Sequence, residues 1–403
     1  MQNDHTQILD AITNDLYRRA AGHEPQVKLP VRFIDSPSIA QAIFRQPDLF
    51  IKNYGFLESL SKGRFSANGD EWKIRASLTQ AFYSRSNELL SDTTIKQIYR
   101  RHIKAYIEQR TEQPADIFQT LINASIEIIS VNFKLNQTIP WPTPLIKKIR
   151  SILKAQQCIA WGYAPEKEFE QNRQALAVLF CEIQQLWEKS PEIMALLNQW
   201  QASASTIEHF NPVGEFIQNL IAAGESTATT LLWAIDQLAR NQQLQLDLTH
   251  QQLTSEQTER NRTLFIQELL RLFPPIAFVT RVCLQPTEIE GITFLQGEPI
   301  VISIVGIHCH KNYWSEPLSF KHSRQEFVTD SYARNAYIPF LSGARVCGGM
   351  KLAIREVSLG LNELLDHFTI SECFEPLKVS SGLTSRPGIK LDSYLKAKLQ
   401  YIV

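Results

Sequence analysis

The chain has 403 residues, 44% of them hydrophobic, and its 41 basic residues balance its 41 acidic ones. Balanced charge gives no indication of nucleic acid or an anionic membrane as the main partner. Six scattered cysteines without a Cys-x-x-Cys pair argue against a zinc site or a disulfide framework, and the N-terminal stretch shows neither a signal peptide nor a long apolar span. The sequence therefore predicts a cytoplasmic protein without a membrane anchor.

Helical patterns dominate the first 270 residues. The last predicted helix of this part has a defined start, because Asn211 can cap it and Pro212 suits its first turn. Apolar residues recur at three-to-four spacing in six segments, which are 36–45, 92–110, 115–133, 166–187, 191–200 and 212–241.

The helix over 212–241 carries an acid and two hydroxyls, Glu225, Ser226 and Thr227, in an otherwise apolar middle. An acid beside an alcohol in a buried helix can relay protons into a dry cavity. The alternative is a helix bent by hydroxyl back-bonding, with Glu225 paired to a basic side chain. The pattern favours neither interpretation by itself.

Further along, Glu268 and Arg271 have the i, i+3 spacing of an ion pair on a helix that ends at Pro274. Short β-type runs follow over 278–283, 289–294 and 299–304, punctuated by Gly291 and Gly297. We find no flexible linker. The sequence predicts a mainly α fold with a small β-rich region, forming a single domain over residues 1–403.

Residues 340–349 read Phe-Leu-Ser-Gly-Ala-Arg-Val-Cys-Gly-Gly and precede a helical stretch over 350–365. Gly343 and Gly349 would let the backbone approach a flat ligand closely. Nearby N–H groups and the start of the helix would favour a thiolate at Cys347. The alternative is a glycine-rich turn with an ordinary buried cysteine.

This run resembles the haem-binding signature of the cytochrome P450 family, Phe-x-x-Gly-x-Arg-x-Cys-x-Gly, at every specified position. The resemblance implies the cytochrome P450 fold and haem b, with Cys347 as the only protein ligand of iron. Phe340, Gly343 and Gly349 would also contribute to haem binding, and Arg345 would bind a haem propionate.

The resemblance extends to other segments. Residues 222–227 are similar to the family's oxygen-activation motif, in which Glu225 and either Ser226 or Thr227 would be catalytic. Arg324 would join Glu268 and Arg271 in a buried structural network. Further propionate partners would be Arg75 and Arg281, and His308 would be structural.

The resemblance implies a monooxygenase that inserts one atom of O2 into an apolar small molecule, by hydroxylation or epoxidation. Electrons would come from ferredoxin or flavodoxin with its reductase, and Lys73, Lys351 and Arg355 could contribute to a docking patch. The chain looks like the soluble bacterial members, and we expect a monomer that binds no nucleic acid. Two other classes stay open, a haem-thiolate isomerase or dehydratase acting without O2 and a non-catalytic haem sensor.

The same resemblance predicts which residues line the substrate pocket. These are Phe56, Leu57, Leu220, Ala223, Ile276, Ala277, Phe278, Leu383 and Thr384.

Overall fold

The computed structural model describes residues 4–58, 61–135, 143–160, 166–249 and 254–398. Most of them are helical, which confirms the predicted fold class. The helices are α1 (Asp4–Ala20), α2 (Pro37–Phe44), α3 (Gly55–Glu58), α4 (Gly69–Ser84), α5 (Ser86–Leu89), α6 (Asp92–Gln109), α7 (Ile117–Asn132), α8 (Thr143–Ala160), α9 (Glu166–Trp187), α10 (Pro191–Ser203), α11 (Pro212–Arg240), α12 (Gln242–Asp247), α13 (Ser255–Leu272), α14 (Ile304–His308), α15 (Gln325–Val328) and α16 (Met350–His367).

The strands are short. They are β1 (Arg32–Ile34), β2 (Phe50–Lys52), β3 (Phe278–Cys283), β4 (Thr287–Ile289), β5 (Ile292–Phe294), β6 (Pro299–Ser303), β7 (Phe368–Ile370), β8 (Val379–Ser381), β9 (Ser385–Pro387) and β10 (Leu395–Ala397).

Helix α11 runs through the core. The Asn211 side chain accepts from the Gly214 N–H at 2.9 Å, and Pro212 follows in the first turn, so the predicted start is confirmed. Its buried face packs against α7 and α16. Near its start, the ring of Phe216 lies 5.0 Å from that of Trp187 and 5.9 Å from that of Trp200. Such aromatic packing buries large apolar areas and fixes the helix at the centre of the molecule.

One four-stranded sheet has the order β1-β6-β3-β2. Strand β1 pairs parallel with β6, and β3 pairs antiparallel with both β6 and β2. The register places Lys52 of β2 opposite Arg281 of β3. Three two-stranded pairs, β4 with β5, β7 with β10 and β8 with β9, complete the strands of the described residues.

One predicted strand needs correction. The run over 289–294 is not continuous, because β4 ends at Ile289 and β5 begins at Ile292. Glu290 and Gly291 between them have φ of 50° and 78°, the left-handed conformation of a tight hairpin turn. Gly291, which punctuates this run in the sequence, marks the turn, whereas Glu290 is not a typical residue at positive φ.

Candidate functional site

A cavity of about 960 Å³ lies beside α11. Its walls come from α11, from the end of α13 through β3, from the loop before α16 with the first turns of that helix, and from the turn between β8 and β9. They are mainly apolar, which is typical of a site for a small molecule. Cys347 lies in this wall.

Backbone contacts fix the loop that carries Cys347. Its N–H donates to the Phe340 carbonyl at 2.9 Å, and α16 begins three residues later. Gly343 has φ of 70°, and a Cβ there would lie 2.6 Å from the Phe44 carbonyl oxygen. The loop therefore requires glycine at this position.

The Cys347 side chain is accessible from the cavity, although protein surrounds it on its other sides. Burial raises the pKa of its thiol, while the Gly349 N–H and the charge of Arg64 oppose that rise. The N-terminus of α16 also favours a negative charge here. A soft sulfur ligand facing a large apolar cavity fits a metal carried by a flat organic group.

Four basic side chains line the same cavity: Lys52, Arg64, Arg281 and Arg345. The register of β2 and β3 places Lys52 and Arg281 directly opposite each other, and two positive charges there are unfavourable unless an anion lies nearby. Burial, together with the charges of Arg345, Arg281 and Arg64, lowers the pKa of Lys52 to about 6, so without an anion Lys52 is mostly neutral at pH 7. The cluster therefore favours a bound anion.

Arg345 shows where such an anion would bind. Its guanidinium lies 3.8 Å from the centroid of the Trp72 ring. Its Nη1 is buried and has no hydrogen-bond partner within the described part of the chain. A carboxylate would satisfy that donor, so the residues present fit the two propionates of haem.

The structure places Arg75 elsewhere. Its guanidinium pairs with Glu71 at 2.8 Å and with Glu215 at 2.9 Å, and it is not among the lining residues. Sequence analysis missed Lys52 and Arg64, which do line the cavity. No motif marks them. The pairing of β2 with β3 places Lys52 opposite Arg281, and the Lys52 Nζ donates to the Arg64 carbonyl at 2.7 Å.

The acid and hydroxyls of α11 all line the cavity, but their contacts differ. Glu225 Oε2 accepts from Arg150 Nε at 2.6 Å, and the Ser226 hydroxyl donates to the Ala222 carbonyl at 2.8 Å. These are the contacts that the structural interpretation expected. The Thr227 hydroxyl has no hydrogen-bond partner within the residues described.

Glu268, Arg271 and Arg324 form one network, and all three side chains are fully buried. Arg271 Nε lies 2.7 Å and Arg324 Nε 2.9 Å from Glu268 Oε2. The two arginines also donate to backbone carbonyls, including those of His308 and Ser319. The network thereby holds the segment that leads toward the Cys347 loop.

His308 extends this network. Its Nδ1 lies 3.0 Å from the Arg271 carbonyl, and its Nε2 accepts from the Ile338 N–H at 2.8 Å. Burial and the charge of Arg271 lower its pKa to about 3, so the ring is neutral at physiological pH. This geometry agrees with the structural role expected for His308.

The predicted pocket residues fall into three groups. Leu220 and Ala277 are buried in the core and are not lining residues, because their side chains pack against neighbouring helices and strands. The side chain of Phe56 lies outside the described residues. The structure brings the remaining ones together around the cavity: Leu57, Ala223, Ile276, Phe278, Leu383 and Thr384.

The described ranges hold neither a further metal-ligand cluster nor a membrane-spanning helix. No three His, Cys, Asp or Glu side chains there gather as a metal-ligand group. No helix in those ranges combines the length and the apolar character needed to cross a bilayer.

Comparison with known proteins gives one family. Residues 132–387 match the family model "Cytochrome P450". Similar curated proteins include Cytochrome P450 71D178 of Origanum vulgare, 28% identical over 193 residues, which are 44% of this chain and 39% of that protein. Cytochrome P450 3A5 of Homo sapiens is 34% identical over 135 residues, or 32% of this chain and 27% of that protein.

A third relative is Probable cytochrome P450 6t1 of Drosophila melanogaster, 30% identical over 178 residues, or 38% of this chain and 33% of that protein. The matched part of the chain spans less than half of the length of each of these relatives. They come from a plant, a mammal and an insect, so the similarity to bacterial members stays a prediction.

Proposed function

The chain belongs to the cytochrome P450 family, and from this premise we propose that it is a haem-thiolate monooxygenase acting on an apolar small molecule. One observation carries the proposal. Cys347 shares a cavity with four basic side chains, and one of these, Arg345, has an unsatisfied buried donor. A thiol and a basic cluster in one wall suit the iron and the propionates of a single haem.

We assign the haem contacts to particular residues. Cys347 would bind the iron, and Arg281, Arg345, Lys52 and Arg64 would neutralise the propionates. Arg75 would affect haem binding only indirectly. It pairs with Glu215, whose carboxylate accepts from the Arg64 backbone N–H at 3.0 Å. When bound, haem with a thiolate ligand activates dioxygen, one atom of which enters the substrate.

The remaining cavity residues would hold the substrate and manage protons. Apolar side chains such as Ala223, Phe278 and Leu383 exclude water and orient one C–H bond. The Thr227 hydroxyl is free to hold a proton, whereas that of Ser226 is bonded to its own helix. Glu225 would act in proton delivery only through rearrangement of its pair with Arg150.

Electrons would come from a separate protein, either ferredoxin or flavodoxin with its reductase. Two side chains of the suggested docking patch are engaged in ion pairs, Lys73 with Asp70 and Arg355 with Asp92. Paired side chains can still contribute to a charged surface, but at a lower net charge.

The test combines a spectrum with turnover. The haem-loaded protein, reduced and treated with carbon monoxide, should show the red-shifted Soret band typical of a thiolate ligand, and Cys347→Ser should abolish it. Cys373→Ala, which changes a buried cysteine outside the cavity, is the matched control and should keep the band. Reductase-driven oxygenation of an apolar compound would separate a monooxygenase from an isomerase or a sensor. A Cys347→Ser protein that retained the band would exclude the assignment.

A further inference from the structure

Besides its four basic side chains, the largely apolar cavity wall has a second polar sector. Helix α11 contributes Glu225, α8 contributes Gln157, and the turn between β8 and β9 contributes Thr384. Glu225 accepts from Arg150 Nε at 2.6 Å and from the Thr384 hydroxyl at 3.2 Å. Three separate parts of the chain thus meet at one carboxylate.

Two donors of this sector are engaged within the protein. Arg150 Nε is bonded to Glu225, and the guanidinium lies 5.3 Å from the centroid of the Phe118 ring. The Thr384 hydroxyl has one proton, which it donates to Glu225. Its 2.7 Å contact with the Thr229 hydroxyl must then use the proton of Thr229. Arg150 is not among the lining residues, so Glu225 and Thr384 face the cavity with lone pairs only.

Gln157 adds an acceptor that has no partner. Its Oε1 is buried and makes no hydrogen bond to any residue that the structure describes. Gln157 follows Arg150 by seven residues, close to two helical turns, so both side chains leave α8 on the same face. A buried carbonyl oxygen without a partner is unfavourable, and a donor from a bound molecule would relieve that cost.

The charges near this sector favour a neutral donor over a cationic one. Arg150 already neutralises Glu225. A second cation, Arg386, lies 4.9 Å from the centroid of the Phe118 ring, and burial lowers its pKa. The charge of Arg150 lowers this pKa further, whereas the carboxylates of Glu225, Asp116 and Asp10 act against the lowering. An ammonium group would be repelled by both arginines, whereas a hydroxyl would not.

We propose that Glu225 and Gln157 form a recognition site for the hydroxyl group of an otherwise apolar substrate. The inference rests on the proposed function, since the bound molecule is the one to be oxidised. The hydroxyl donates to a carbonyl or carboxylate oxygen in the polar sector, and the apolar remainder packs against the rest of the cavity. Anchoring one end of the molecule decides which of its C–H bonds is presented for reaction.

Three probes of nearly equal size test the site on the haem-loaded full chain: cyclooctane, cyclooctanol and cyclooctanone. Isothermal titration calorimetry gives Kd without any turnover. Cyclooctanol, which can donate, should bind about tenfold more tightly than cyclooctane, the effect of one hydrogen bond. Cyclooctanone, which can only accept, should bind clearly more weakly than the alcohol.

Two variants locate the effect. Gln157→Leu removes the unpaired acceptor without breaking a hydrogen bond between described residues, and Glu225→Gln removes the charge while keeping an oxygen for Thr384. The preference for the alcohol should fall to about twofold in at least one of them. Leu383→Ala, the matched apolar control, should weaken all three ligands by a similar factor and keep the preference.

Equal affinities for alcohol and hydrocarbon, equal affinities for alcohol and ketone, or a preference that survives both variants would overturn the recognition site. These experiments distinguish failure of the recognition site from failure of the proposed monooxygenase function. Selective binding that the variants abolish, without any oxygenated product, would support the site and contradict the monooxygenase. Turnover without selective binding would contradict only the site.

Discussion

The guanidinium of Arg345 stacks on the ring of Trp72, with 3.8 Å between its central carbon and the ring centroid. The contact joins the Cys347 loop to α4, two parts of the chain that are far apart in sequence. Stacking holds the long arginine side chain in one orientation and leaves its Nη1 without a partner, ready for an anion. Trp72 is therefore a positioning residue for Arg345.

Replacing Trp72 by leucine should speed the loss of haem. A cation–π contact of this kind contributes about 1–2 kcal/mol, so the rate of haem transfer to excess apomyoglobin should rise roughly 5- to 30-fold. Trp72→Phe keeps an aromatic face and should restore most of the retention. Equal transfer rates in the leucine variant and the unchanged protein would show that stacking does not position Arg345.

Alanine substitutions at Gly343 and Gly297 separate the cost of a positive φ from the cost of steric overlap. Both have positive φ, 70° and 76°, but a Cβ at Gly343 would lie 2.6 Å from the Phe44 carbonyl oxygen, whereas one at Gly297 meets nothing within 4 Å. Gly297→Ala should cost about 1 kcal/mol of unfolding free energy from conformation alone. Gly343→Ala should cost clearly more, and urea denaturation of the two variants measures the difference. Equal losses would mean that the loop moves to accept the methyl group.

Arg324→Ala should mainly impair folding and haem loading. It leaves Glu268 with a single arginine in a fully buried site, and breaking a buried charge network costs roughly 3–5 kcal/mol. The exposed Arg334, paired with Asp330, is the matched control, and Arg334→Ala should change stability by less than about 1 kcal/mol. The ratio of Soret to protein absorbance in purified samples reports the loading. Normal loading with lost turnover would contradict a structural role for Arg324.

Local sequence patterns predicted the regular elements well. The predicted helix over 166–187 has the bounds of α9, and the run over 278–283 those of β3. Both are defined by side-chain periodicity, which is a local property of the chain. The hairpin turn at Glu290 and Gly291 is marked in the sequence by its glycine, but the pattern did not divide the run into β4 and β5.

The site was less predictable, because it depends on contacts between distant segments. The glycines and the cysteine of residues 340–349 could be interpreted from their local chemistry. The pairing of Arg75 with Glu215, 140 residues away, could not, nor could the register that places Lys52 opposite Arg281. Such partners are chosen by tertiary packing, for which a single sequence carries no local signal.

Acid should destabilise the fold partly through His308. Its pKa is about 3 in the folded protein, against about 6.5 in an unfolded chain. Because folding lowers this pKa, the neutral ring contributes fully to stability above pH 6.5. That contribution is lost as the pH falls toward 3. In that window the unfolded chain binds one more proton than the folded protein. The unfolding free energy therefore falls by about 1.4 kcal/mol for each pH unit.

His308→Gln should therefore be less stable at pH 7 but show a shallower loss of stability between pH 6.5 and 4.5. Urea denaturation at several pH values measures the slope. The exposed His209 is the control, and His209→Gln should leave the slope unchanged. An unchanged slope in the His308 variant would place the acid sensitivity in other groups.

The last prediction concerns which hydroxyl of α11 serves proton delivery. Ser226 donates to the Ala222 carbonyl at 2.8 Å, while the adjacent Thr227 also lines the cavity and lies about 100° further round the helix. We expect Thr227→Ala to keep haem and substrate binding but to divert reducing equivalents to hydrogen peroxide. Ser226→Ala should change the product formed per NADPH consumed by less than about twofold, because the Ser226 hydroxyl is already satisfied within the helix. Uncoupling in the Ser226 variant alone would move the role to Ser226, and uncoupling in neither would show that ordered water or the substrate carries the protons.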